Sequence, residues 1–74
     1  MDDWRGIVGK NVRRLRLEVG LTQEQLAFAS EIDLTYVGGI ERGKRNPSVL
    51  VLARIANSLS TEPAELLLRN ISTG

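Results

Sequence analysis

The side chains with chemistry to offer in this chain are cations. Lys10, Arg13, Arg14 and Arg16 fall within seven residues, and Arg42, Lys44 and Arg45 within four. Seven of the ten basic side chains therefore sit in two clusters. Clustered Lys and Arg suit a polyanion, because each cation that neutralises a phosphate releases a counterion. Formal net charge is only +1, so the attraction depends on folding bringing both clusters to one side. Other chemistry is thinly supplied. The chain has no Cys and no His. That removes disulfides, thiolate metal sites, the commonest metal ligand and the usual general base near neutral pH. Asp, Glu and Lys remain as acids and bases, but no constellation makes a catalyst of them. No enzyme, metal or cofactor is expected.

Positioning those cations falls to a small scaffold. Seventy-four residues allow one domain, with its core at about residues 5–70, and 42% apolar residues suffice for that core without staples. No apolar run approaches a membrane span, and MDDWRG lacks the basic start of a secretory signal, so the expected location is cytoplasmic. The pattern predicts an all-α chain of five helices. In helix 1, about Trp4 to Val19, the residues Val8, Val12, Leu15 and Val19 make one stripe. Asp2 or Asp3 caps its start and Gly20 its end, while Gly6 and Gly9 weaken its first turns. Thr22 and Gln25 form a capping box for helix 2, which runs to about Ser30 with Leu26 and Ala29 inward. Asp33 caps helix 3, which ends near Arg42 and Gly43 with Val37 and Ile40 inward. The turn between helices 2 and 3 is only about four residues, which forces a sharp crossing. Pro47 bars any continuation of helix 3. Ser48 caps helix 4, whose inward stripe is Val49, Leu52, Ile55, Ala56 and Leu59. Helix 5 starts at Pro63, with Glu62 and Glu65 at its positive end, and reaches about Asn70.

The stretch LTQEQLAFASEIDLTYVGGIERGKRNPS, residues 21–48, resembles the helix-turn-helix of the lambda-repressor-like family. That family includes phage repressors, Cro and XRE-type regulators. The resemblance extends through RIANSLSTEPAELL and covers roughly residues 8–68. The run IDLTYVGGIERGKRN also looks like the small controller proteins of restriction–modification systems, which act as homodimers. This resemblance implies that helix 3 enters the major groove of double-stranded DNA and reads base edges from its N-terminal part. The base-facing positions it implies are Asp33, Leu34, Thr35, Gly38 and Gly39. Gln23 matches a glutamine that bonds phosphate and braces helix 3. Arg42, Lys44, Arg45 and Asn46 match the loop along the DNA backbone, and Arg16 with Glu41 match a structural ion pair. Two positions depart from the family pattern, Glu31 and Ser60, where Gly is usual. Leu34 stands where related controllers often have Arg, so it can touch a thymine methyl but cannot hold a guanine.

Several residues are open to two roles. Thr22 caps helix 2 and is placed to contact DNA; Asp33 serves first as a cap. Tyr36 either packs on the core edge or bonds a phosphate through its hydroxyl. Only one or two of Lys10, Arg13 and Arg14 are expected to reach phosphate, since solvated helix faces commonly carry such charges. Leu50 and Val51 lie off the inward stripe of helix 4, and Leu67, Leu68 and Ile71 cannot share one narrow face with Leu66. These five are the expected homodimer surface. The resulting expectation is a homodimeric transcriptional regulator or repressor on a palindromic operator, with no small-molecule ligand. The alternative is an antitoxin-type protein-interaction module, for which the short tail after helix 5 leaves little room.

Overall fold

The structure is a computed structural model, described here for residues 3–69. Asp2, Asn70 and Ile71 lie outside the described residues. Four α-helices follow one another as α1 (Trp4–Glu18), α2 (Gln23–Ser30), α3 (Leu34–Glu41) and α4 (Val49–Ser58). Each start is set by a side chain that accepts a backbone N–H of the first turn. Asp3 accepts from Gly6, Thr22 from Gln25, Asp33 from Thr35 and Ser48 from Val51. The Thr22–Gln25 capping box is closed in both directions, at 3.0 and 2.8 Å.

The four ends share one device. A residue with positive φ follows each helix, and its N–H and the next one fold back onto carbonyls of the last turn. The residues are Gly20 (φ 78°), Glu31 (57°), Gly43 (73°) and Ser60 (56°). After α3, for instance, Gly43 donates to Ile40 and Lys44 to Gly39. Glu31 and Ser60 thus hold a backbone shape that Gly adopts without steric cost.

Helix α1 packs on α3 and on the C-terminal segment, and α2 packs on α3 and α4. Between them lies a core in which Val12, Leu26, Val37, Ile40, Ile55 and Leu66 are fully buried. Each such side chain contributes about 1.5–3 kcal/mol by leaving water. Ser30 donates to Ser58 at 2.9 Å, tying α2 to α4. Gly9 has a long-range reason to be glycine, because a Cβ there would stand 2.3 Å from the carbonyl oxygen of Ile40. Helix α1 runs unbroken through Gly6 and Gly9; Gly9 permits the close crossing with α3, and Gly6 abuts Gly43 just past the end of α3.

Several sequence expectations need correction. Helix 5 is a short 3-10 helix, Pro63–Leu67, and Leu68 is already extended. The cause is Asn11, a fully buried side chain on α1. Its amide donates to the carbonyls of Leu66 (2.9 Å) and Leu68 (2.8 Å). The Leu66 carbonyl would otherwise serve a continuing α-helix. Val19 and Val49 are exposed, because each sits at a helix end where the stripe has run past its partner. Ala29 is also exposed, and Ala27 and Ser30 take the inward positions of α2. No helix among the described residues is long and apolar enough to cross a membrane, and none of their His, Cys, Asp or Glu side chains group as a metal site would require.

Candidate nucleic-acid interface

Helix α3 uses half its circumference for the core. Val37 and Ile40 are inward, with Tyr36 partly buried at one edge and the Glu41 carboxylate tucked in at the other. By the helical period the opposite face is centred on Thr35 and Arg42, with Gly38 and Gly39 flanking them. That face is turned away from the hydrophobic core.

A buried polar network fixes the helix behind it. Glu41 accepts from Arg16 Nε at 2.7 Å and Nη2 at 3.0 Å, and from Gln23 Nε2 at 3.0 Å. The remaining Arg16 nitrogen donates to the carbonyl of Leu21 at 2.9 Å. The Arg16 and Glu41 side chains are 9% and 3% exposed, so the pair is largely removed from water. Donating hydrogen bonds to Glu41 holds the Arg16 guanidinium above its ordinary pKa; burial opposes this and the Glu41 charge reinforces it. One carboxylate thereby joins α1, the start of α2 and the end of α3. Among the described residues the second N–H and the carbonyl oxygen of the Gln23 side chain make no hydrogen bond.

The other site residues gather on either side of α3. Thr22, Gln23 and Leu34 line one shallow depression together with Arg16, Leu17 and Leu21. Asp33, Thr35, Tyr36 and Arg45 line another. Between them Arg42 lies over Gly38, with Nη1 3.1 Å from where a Cβ would be, and the stem of Arg45 lies over Gly39. The Arg45 guanidinium stands 5.8 Å from the Tyr36 ring centroid, a cation–π contact. Tyr36 therefore packs on the core edge and also carries a cation. Gly38 and Gly39 are buried, under arginines from the segment that follows them. Lys44 and Asn46 are exposed on the same segment. In the first cationic cluster Arg14 is engaged by Glu18 (3.2 Å) and Asn11 (3.3 Å), while Lys10 and Arg13 are exposed.

Comparison with known proteins decides what this arrangement is. The family profile described as Helix-turn-helix matches residues 12–66. The chain belongs to the helix-turn-helix family. It is 43% identical over 65 residues to an uncharacterized HTH-type transcriptional regulator, y4dJ, of Sinorhizobium fredii; the match covers 88% of this chain and 84% of that one. The restriction–modification controller protein C.AhdI from Aeromonas hydrophila superposes with a TM-score of 0.82 at 47% identity, covering 84% of this chain and 94% of that one. The controller C.Esp1396I, solved as a tetramer in complex with its natural 35 base-pair operator, superposes at 0.79 with 35% identity, covering 89% and 87%.

In this helix-turn-helix chain α2 and α3 are the paired helices, and Glu31 makes the turn between them. The Glu31 side chain is exposed and its backbone carbonyl accepts from Arg54 at 3.5 Å. Further exposed apolar side chains lie on α4 and at the 3-10 helix. Leu50 is 74% exposed there, while Leu67 and Leu68 are about half exposed and Leu66 is fully buried. Val51 is half-buried against the core. Two features were missed in the sequence. Asn11 was detectable as a polar residue on the Val8–Val12–Leu15 stripe. Phe28, 87% exposed on α2, breaks no local pattern that would have singled it out.

Proposed function

We propose that this protein is a DNA-binding transcriptional regulator that works as a homodimer on a palindromic operator, in the manner of a restriction–modification controller. One observation carries the reading: the face of α3 turned away from the core is overlaid by arginines, Arg42 on Gly38 and Arg45 beside Tyr36. A helix presented in this way is dressed for a polyanionic groove. The solved operator complex of C.Esp1396I supports it from outside.

Within this proposal α3 enters the major groove. Thr35 and Leu34 meet base edges and Asp33 lies at the rim, where its capping bond already occupies it. The first turn of α2, with Thr22 and Gln23, offers free N–H groups and a positive partial charge to a phosphate. Gln23 spends one N–H on Glu41 and has another for that phosphate. Arg42, Lys44, Arg45 and Asn46 follow the backbone. Since Thr35 is the one hydroxyl on this face and Leu34 is limited to apolar contact, direct readout is sparse and DNA shape contributes to site choice. Leu50, Leu67 and Leu68, with Val51 at their edge and Ile71 beyond the described residues, join two subunits. That pairing sets two α3 helices about 34 Å apart, one turn of DNA. A cytoplasmic location fits this work.

Selection of duplexes from a random pool tests the proposal. The expected product is a palindrome whose half-sites are spaced by a DNA turn. Recovery of no sequence that binds more tightly than bulk DNA at moderate salt would overturn it. Copurification of a different protein in that event would favour an interaction module.

A further inference from the structure

Resemblance marks Gly38 and Gly39 as groove-facing positions, and a glycine there is naturally read as a place where backbone comes close to DNA. The structure fills that space with protein. A Cβ on Gly39 would lie 2.7 Å from Arg45 Cγ, 3.3 Å from its Nε and 3.5 Å from its Cδ, so the whole stem of Arg45 runs across the bare helix at this residue. Beyond the stem, the guanidinium reaches the Tyr36 ring. Tyr36 and Gly39 are adjacent on the helix surface, three residues apart. Arg45 itself is exposed and sits past the end of α3, in a segment whose backbone is turned back onto the helix by the Gly43 and Lys44 hydrogen bonds.

We propose that Gly39 is a positioning residue: its missing side chain is the seat that lays Arg45 across α3 and onto Tyr36, so that the recognition face acquires a second cation beside Arg42. The cation belongs to the segment after the helix, but its location belongs to the helix. Arg45 is one of the longest and most mobile of side chains, and ordering it against a ring before DNA arrives removes part of the entropy lost on binding. Arg42 over Gly38 repeats the arrangement more loosely, because there it is the flexible tip and not the stem that meets the glycine.

A double-mutant cycle separates the seat from simple close approach, and it rests on the DNA-binding reading. Gly39→Ala, Arg45→Ala and the double variant are titrated against one fluorescent mixed-sequence duplex at low salt. The methyl gains helix propensity, and the nearest atoms it meets belong to the exposed Arg45 side chain, which can move aside, so Gly39→Ala should melt no lower than wild type. Its affinity for the duplex should nevertheless fall roughly two- to fivefold, the equivalent of an exposed cation–π contact. In the Arg45→Ala background the same substitution should cost nothing further. Equal losses in both backgrounds would mean that the methyl clashes with DNA itself, and no loss in either would mean that the seat is idle; each overturns the proposal. A proton spectrum of the free protein supplies a reading without DNA. The Arg45 δ-methylene protons should be shifted upfield by the Tyr36 ring and should return towards random-coil values in Gly39→Ala. Unshifted protons in the wild type would end the proposal. Shifted protons in a protein that binds no duplex would keep the seat, remove its role on DNA, and refute the DNA-binding reading separately.

Discussion

Replacing Glu41 with Ala should unfold much of what orients α3. The carboxylate accepts three hydrogen bonds, two from Arg16 and one from Gln23. Its removal leaves Arg16 with the Leu21 carbonyl alone, in a side chain 9% exposed. Breaking a buried pair by deleting one partner costs about 3–5 kcal/mol, since the orphaned charge stays in low dielectric. The lower figure applies here. Arg16 borders the open depression at Leu17, Gly20 and Leu21, so its guanidinium has a short way to water. A loss of about 3 kcal/mol is severe for a chain of 74 residues, whose whole stability is on the order of 4–11 kcal/mol. It corresponds to a midpoint lowered by about 12–24 °C. Urea unfolding followed by far-UV circular dichroism, at fixed protein concentration because subunit association shifts the midpoint, gives the value. A loss below about 1 kcal/mol is what an exposed pair gives, and it would show that Arg16 and Glu41 are solvated and that α3 is held by packing alone. The companion variant Arg16→Met with Glu41→Leu should recover most of the stability, because two apolar side chains leave no charge uncompensated. The pair should not weaken in mild alkali. A guanidinium pKa raised by folding adds stability that is complete below its unfolded value and fades only as pH passes the folded one, far above neutrality.

Other substitutions probe the remaining joints. Asn11→Ala should cost about 2 kcal/mol in the same urea assay, by stranding the buried Leu66 carbonyl and freeing that of Leu68; a cost under about 0.5 kcal/mol would mean that water replaces the amide. Glu31→Gly and Ser60→Gly should each raise stability by about 0.5–1 kcal/mol, the left-handed strain relieved less the entropy glycine loses on folding, and a lower melting temperature for either would deny the strain. Leu67→Asp or Leu68→Asp should yield a monomer in sedimentation equilibrium, and dimers that survive both place the interface elsewhere. Arg45→Ala should weaken binding to all duplexes alike and reduce the salt slope by about one unit, whereas an unchanged slope removes Arg45 from the phosphate contacts.

How legible the fold was depends on the reach of the interaction concerned. The N-caps at Thr22, Asp33 and Ser48, and the pair of candidates that included Asp3, could be read because a cap bond spans two or three residues. The stops at Gly20 and Gly43 could be read for the same reason. Glu31 and Ser60 were noticed only as departures from a family habit. Their backbone shows why the habit exists, since both occupy the shape that glycine elsewhere supplies. Asn11 was detectable as a polar residue on an apolar stripe, but what it binds was illegible because its partners are 55 and 57 residues away. Without it the sequence Ala64 to Leu68 reads as ordinary α-helix. Gly9 was misread on the same account: a local view sees a weak helix former, and the Ile40 carbonyl it accommodates belongs to another helix. In the candidate site, resemblance named the residues, but it could not show that the two glycines of α3 lie beneath arginines.

The polar network and the arginine overlay meet at Gln23. Its amide donates to Glu41, and its oxygen lies 3.9 Å from the Cβ position of Gly38, the same residue that Arg42 covers. The Gln23 side chain, the proposed phosphate contact at the start of α2, is therefore held by the carboxylate that fixes α3, and it borders the cation that overlies α3. Helix α2 cannot shift against α3 without breaking the Gln23–Glu41 bond, nor α1 against α3 without uncovering Arg16. Scaffold and site share one carboxylate. A change at Glu41 must then reach DNA affinity by two routes, through the tilt of α3 and through the freed amide of Gln23. Gln23→Ala removes the second route and leaves the ion pair standing. If the network does what its geometry implies, Gln23→Ala weakens binding with little change in stability, while Glu41→Ala loses both together.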